Sequence, residues 1–211
     1  QGVAATVGIF RGFDLTSFVS YRDIDVTLTK DSSGIATILK TGYHRTLSEM
    51  KHKHNAAEKL FGTNMRYFRD GFHVGVTALK VVFDKPLCPD IRRIYQRYNP
   101  SGSRFWNIGA DYGYASGRLS FNGEVATGDS HAFATVNSLS CRLTSSLSLM
   151  VLQRFYSYRY YSLFSRSFSD GGSTQGESGV YIGADWHAFR HLWLSAYTDY
   201  AYFPWARYRV S

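Results

Sequence analysis

The chain has 211 residues, 44% of them hydrophobic and only 19% charged, with a formal net charge of +8. Its 16 Tyr, 15 Phe and 4 Trp favour strands, and with only 4 Pro the chain does not read as disordered or linker-rich. No run approaches the roughly 18 apolar residues of a membrane-spanning helix, which leaves open a barrel whose strands need about 9–11 residues of alternating polarity. The basic balance is compatible with nucleic acid or an anionic surface as partner, but no dense basic block stands out.

The chain begins inside a strand-like run, Gly2-Val3-Ala4-Ala5-Thr6-Val7-Gly8-Ile9-Phe10, with no starting Met, and the expectation is a piece of a longer protein. Period-two alternation predicts strands over 2–10, 13–23, 60–69, 72–83, 104–115, 118–127, 131–142, 146–160, 178–188 and 191–203. In the fifth of these, Trp106, Ile108, Ala110, Tyr112 and Tyr114 alternate with Asn107, Gly109, Asp111 and Gly113. In the ninth, Val180, Ile182, Ala184 and Trp186 alternate with Tyr181, Gly183, Asp185 and His187. These runs are long for a soluble sheet, where strands average about 5–6 residues.

Taken alternately, the connections fall into two sets. One is tight: 11–12, 70–71, 116–117, 143–145 and 189–190. The other is mostly long: 24–59, 84–103 and 161–177, with 128–130 the exception. Short turns at one end and long loops at the other are the habit of outer-membrane barrels, and a soluble sandwich has no reason to segregate loops this way. Within 24–59, residues 34–43 read as an extra strand. Thr46-Leu47-Ser48-Glu49 reads as a capping box opening a short helix that runs to about Glu58. Tyr112, Tyr114, Tyr156, Tyr158, Tyr160, Tyr161, Trp186, Tyr200, Tyr202 and Trp205 gather near predicted strand ends, as the aromatic girdles of a barrel would.

Five stretches resemble a known family: Gly2-Val3-Ala4-Ala5-Thr6, Phe18-Val19-Ser20-Tyr21, Thr41-Gly42-Tyr43-His44-Arg45-Thr46 followed by Glu49, Glu177-Ser178-Gly179-Val180-Tyr181, and Leu194-Ser195-Ala196-Tyr197-Thr198-Asp199 running into Phe203-Pro204-Trp205. Together they are similar to the barrel region of Bacteroidetes helix-hairpin-helix domain-containing envelope proteins. The resemblance implies a β-rich region in the outer membrane, longer than 211 residues in the family, so that this chain is an arc of a larger barrel. The helix-hairpin-helix segment has no counterpart here, so a DNA-binding role does not carry over, and the family supplies no catalytic residues.

With the apolar face outward, Asp14, Arg66, Asp111, Glu124, Arg154, Asp185 and Asp199 face a polar lumen, with Gly75, Gly109, Gly113 and Gly183 leaving room beside them. They line a solute path, or they pair across a plugged lumen for structural satisfaction. Asp111 and Glu124 fall roughly opposite one another across the 116–117 turn, but no nucleophile or metal set accompanies them, and no catalytic residue is assigned. His44, His52 and His54 cluster with Glu49 and Glu58 at a spacing metal ligands can have. Only His54 and Glu58, four apart, share a helix face, while His52 and His54 do not, so a solvated basic loop is expected and no metal or other cofactor is assigned. Arg92, Arg93, Arg97 and Arg104 interleave with Tyr95, Tyr98 and Phe105 as candidate loop ligands for lipopolysaccharide phosphate or single-stranded nucleic acid. Cys88 and Cys141 are expected at opposite ends of the barrel, too far apart for a disulfide.

The expected architecture is therefore all-β: an antiparallel up-and-down transmembrane β-barrel, or an arc of one, of about ten strands. It is a single domain or barrel fragment over 1–211 with a loop insertion at about 24–59. The expected function is a non-enzymatic pore, conduit or envelope assembly scaffold in a bacterial outer membrane. Its partners would be lipid, lipopolysaccharide and other envelope proteins. Two alternatives are a binding module whose basic aromatic loops engage DNA or surface polysaccharide, and a soluble β-barrel carrier.

Overall fold

In the computed structural model, which describes residues 1–207, alternation has become a single sheet of twelve strands. Ten of them run up and down in chain order: β1 (Gly2–Phe10), β2 (Phe13–Ile24), β5 (Ala56–Arg69), β6 (Phe72–Leu87), β7 (Gly102–Ala115), β8 (Leu119–Gly128), β9 (Phe133–Arg142), β10 (Leu147–Tyr156), β11 (Glu177–Phe189) and β12 (Leu192–Tyr202). The remaining two, β3 (Val26–Leu28) and β4 (Ile35–Ile38), make a small hairpin that joins the sheet through Ile35 beside Leu87 of β6. Neighbouring long strands are antiparallel throughout, and β1 and β12 stand at opposite edges without pairing to each other. The sheet is thus an open arc, not a closed barrel.

Each of the ten predicted strands is present, with ends displaced by a few residues. The turn glycines explain the tight end. Asp70 and Gly71 both take positive φ, 49° and 81°, the geometry of a two-residue hairpin whose twist matches its strands. A side chain on Gly71 would come within 2.3 Å of the Ala115 carbonyl oxygen, so the next hairpin can lie against this turn only because the residue is glycine. That oxygen's own residue donates its amide back to the Gly71 carbonyl at 2.9 Å. Gly12 repeats the arrangement against Phe68.

Two expectations in the 24–59 insertion are corrected. The extra strand is only Ile35–Ile38, and it pairs with Val26–Leu28, which alternation did not mark. The capping box at Thr46 and Glu49 forms, but the helix, α1, covers only Leu47–Met50. It stops well before Glu58 because β5 already starts at Ala56, pairing with Ile24 of β2. The strand expected over 146–160 ends at Tyr156, beyond which the chain folds over the sheet.

Cross-strand register fixes which residues share a face. In one face, here the outer, every long strand exposes large apolar side chains: Val7, Val19, Met65, Val76, Ile108, Phe121, Leu139, Val151 and Ile182 all remain exposed. The other, inner face carries Asp14, Arg66, Asp111, Glu124, Arg154, Asp185 and Asp199 and, toward the long-loop end, the water-excluding core. Ile24, Ala56, Val81, Phe83 and Phe105 project there from β2, β5, β6 and β7 and are closed over by Val26 and Ile35 of the small hairpin and by Leu163 and Tyr161 of the 157–176 loop. A hydrophobic core sealed by loops at one end, beside strands apolar on their opposite face, is an inside-out arrangement for a water-borne sheet.

Candidate functional site on the inner face

Asp14, Arg66, Asp111, Glu124 and Arg154 fall in one cross-strand row, continued through Gly75 between Arg66 and Asp111 and through Val136 between Glu124 and Arg154. Asp185, opposite Ser148, and Asp199, opposite Tyr181, share that face. Directly opposite residues of an antiparallel pair point to the same side, so the register places all seven sequence candidates together on the inner face.

Their environments differ along the row. At the β10–β12 end, the Arg154 guanidinium is fully buried. Its two terminal nitrogens donate to the two carboxylate oxygens of Asp199 at 2.7 and 3.1 Å, and its Nε donates to Glu177. Glu177 is fully buried too, and accepts the backbone amides of Asp170 and Gly171 at 2.9 and 3.0 Å. The Phe168 ring covers the guanidinium at 5.1 Å. Arg154 of β10 therefore ties three things together: β12, the start of β11 and, through Glu177, the returning loop. Of the two readings of the row, this end follows structural pairing. Glu177 is not among the sequence's candidate inner-face residues, although it opens one of the family-like stretches. Its position at the boundary of a predicted strand and a loop gave no sign that the loop would fold back onto it.

The middle of the row is looser. Asp111 and Glu124 stand directly opposite each other, as counting from the turn suggests. The Asp111 carboxylate folds over Gly75, where a Cβ would lie 2.5 Å from its oxygen, and approaches His73 Nε2 at 3.9 Å. Among the described residues, neither Glu124 nor the facing Asp14 and Arg66 form a hydrogen bond or ion pair through their side chains. Nearby, polar side chains pair across strands, as in Thr6 with Thr16 at 2.9 Å and Asn64 with Thr77 at 2.8 Å. This half of the inner face is a polar, water-accessible wall.

Above it, loops converge. The indoles and phenols of Tyr98, Tyr158 and Trp205 pack with centroids 4.9 to 5.3 Å apart, and Trp205 Nε1 donates to the Ile94 carbonyl at 3.0 Å. Gln175 Nε2 donates to the carbonyls of both Tyr98 and Tyr158 at 3.0 Å. A cavity of about 400 Å³ opens among Tyr98, Asn99, Tyr158, Gln175, Trp205 and Arg207. Tyr156 donates from its hydroxyl to the Phe168 carbonyl at 2.7 Å, and Tyr160 is buried beside it. Burial pushes the Tyr160 phenol up, and that of Tyr161 to about 12. Tyr156, Tyr158, Tyr160, Tyr161 and Trp205 thus build an internal cap. They are not the outer girdle expected from their positions, whereas Tyr114, Trp186, Tyr200 and Tyr202 do lie exposed on the outer face.

The arginine group does not converge. Arg92, Arg93 and Arg97 sit in the 88–101 loop, and Arg93 is held by Asp90 at 3.2 Å and by the Tyr95 hydroxyl at 3.0 Å. Arg104 belongs to β7 and lies on the outer face opposite Val82. The histidines of the insertion serve local structure. His44 Nε2 lies 2.6 Å from Asp25, His54 donates its amide to the same carboxylate, and His52 Nδ1 meets the Val26 carbonyl oxygen. The amide of His54 is the first cause holding the Asp25 carboxyl below the ordinary carboxylate range. No group of three or more His, Cys, Asp or Glu among the described residues could hold a metal ion. Both cysteines are free thiols.

No protein-family model matches the chain, and no curated protein matches its sequence.

Proposed function

We propose that the chain forms the wall of a bacterial outer-membrane β-barrel, with its outer face against lipid and its inner face bordering an aqueous interior, and that it acts as a conduit or assembly scaffold without enzymatic chemistry. The observation that carries this reading is the exposed apolar side chains that all ten long strands present on one face, on a sheet whose Asp14-to-Asp199 group and packed core lie on the opposite side. Left in water, an apolar surface of that extent would drive association; in a bilayer it is the surface that should face outward. The segregation of tight turns from long loops supports the same orientation, with the packed loop end on the outside of the cell. In hydrocarbon the free edges of β1 and β12 need strand partners, because each unsatisfied backbone group there costs several kcal/mol. Closure on each other, or on further strands as the family resemblance implies, meets that need.

The cap over the inner face favours a closed conduit or scaffold over a wide-open pore. A second reading, a loop-borne polysaccharide site, draws on the aromatic cavity beside Trp205. The test of the main reading is heat-modifiable gel mobility after refolding in detergent, with a detergent-free control. A compact band that needs detergent and shifts on heating is the expected result. A monodisperse β-protein in plain buffer would overturn it in favour of a soluble carrier.

A further inference from the structure

We propose that Lys59, Lys80 and Arg104 form an outer-face site for the phosphate groups of a phosphorylated glycolipid, a deepening that rests on the membrane-wall reading. The register assembles it. Lys59 of β5 and Arg104 of β7 both lie opposite Val82 of β6. Lys80 of β6 lies one outer row nearer the turns, opposite Phe61 and Trp106. With strands about 4.8 Å apart and a rise of about 3.4 Å per residue, the three Cα atoms fall within roughly 10 Å of one another. All three side chains are exposed, and among the described residues none forms a hydrogen bond or ion pair.

The acidic groups of this face are engaged elsewhere. Asp84 accepts the Ala57 amide at 2.8 Å and the Lys85 ammonium at 3.1 Å, and Asp23 accepts the Tyr21 hydroxyl at 3.4 Å. Asp129 accepts the Trp106 amide at 2.7 Å. Three cations without an ion-pair contact among the described residues thus sit at the loop-side margin of a lipid-facing surface, where a cation is tolerated only near the headgroups.

The chemistry selects the ligand. A phosphomonoester carries about −1.5 to −2 charges, and a guanidinium grips it through paired N–H donors. Two such groups on a sugar headgroup match a three-cation cluster better than the single charge of a phosphodiester lipid. Trp106, Phe61 and Tyr21 place rings at the headgroup level beside the cations. Val19 beside Phe61, and Ala78 and Ile108 one outer row nearer the turns, offer apolar surface for acyl chains, which a free phosphate ion would not use.

The experiment compares the full chain with a K59Q/K80Q/R104Q variant, both refolded in detergent. Retained lipid is read by native mass spectrometry and by the thermal midpoint, after addition of bisphosphorylated lipid A, its dephosphorylated form, phosphatidylglycerol or inorganic phosphate. The expected result is retention and stabilisation specific to the bisphosphorylated lipid, weakened roughly tenfold or more in the variant. An R92Q/R97Q variant in the 88–101 loop should match the unmodified chain. Equal retention by the triple variant would overturn the site. Equal stabilisation by inorganic phosphate would overturn its assignment to a lipid. If the unmodified chain folds without detergent, the membrane reading beneath the proposal fails first, and that outcome is read separately in the detergent-free control.

Discussion

The two ends of the inner face are built on different physics. Toward the long loops, Ile24, Val26, Ile35, Val81, Phe83 and Phe105 exclude water, and the 157–176 loop is pinned down by Arg154, Glu177 and Tyr156. Toward the tight turns, Phe68, Trp193 and Tyr197 on the same face stay exposed, and polar side chains pair across strands or face one another unpaired. The loop end therefore carries a core that water itself stabilises. The turn end has little to bury, and its strands depend on what covers the outer face. On the proposed reading, a sheet of this kind is half a globular protein and half a membrane wall, and the two halves should fail under different challenges.

The largest effect should come from the loop end. Arg154→Ala would leave Glu177 buried with its charge unmatched, at a cost of about 3–5 kcal/mol. Equilibrium unfolding in detergent should show this loss, with protease sensitivity appearing first in the 157–176 loop. Stability within 1 kcal/mol of the unmodified chain would mean that the loop does not depend on this pairing. At the other extreme, Ile182→Arg should cost roughly 2–4 kcal/mol in a bilayer if the site lies near the midplane. The same change should be nearly silent in a water-soluble context, so unfolding measured in lipid vesicles separates the two halves directly.

Smaller effects sharpen the comparison within the insertion. Thr46→Ala removes the side-chain acceptor of the Glu49 amide, at about 1 kcal/mol for a cap of this kind. Hydrogen exchange should rise locally at Leu47–Met50 while the sheet is unaffected. Smallest of all is the acid response of the 29–34 turn. Hydrogen bonds from Ser33 and Thr29 depress the Asp31 carboxyl from 3.8 to about 2. A depressed carboxyl contributes above its ordinary value and loses that contribution as pH falls through the folded one. The Ser33 and Gly34 amide resonances should therefore hold through pH 3.8 and move only near 2, and an earlier transition would contradict the turn geometry.

What sequence makes legible here is the part governed by period two. The strands, their order, the loop asymmetry, the inner placement of Asp14 through Asp199 and the facing of Asp111 and Glu124 all follow from alternation counted out from short turns. What it hides is loop return. Nothing local in Tyr156, Tyr160 or Glu177 says that residues 157–176 fold back across the sheet, so aromatics that cap the inner face look from sequence like an outer girdle. The β3 strand is too short to show alternation. Arg104 is the first residue of the predicted 104–115 strand and reads as part of the adjoining basic loop, whereas β7 starts at Gly102 and carries it on the outer face.

The central claim is that Ile108, Leu119 and Ile182 face lipid while Asn64 and Asp111 face water. Spin labels at these five positions, in protein refolded into vesicles, test it by accessibility to oxygen against a water-soluble relaxant. The account predicts oxygen-dominated relaxation at the first three and relaxant-dominated behaviour at the last two. Water-like accessibility at all five would contradict it and leave the apolar face without the membrane assigned to it.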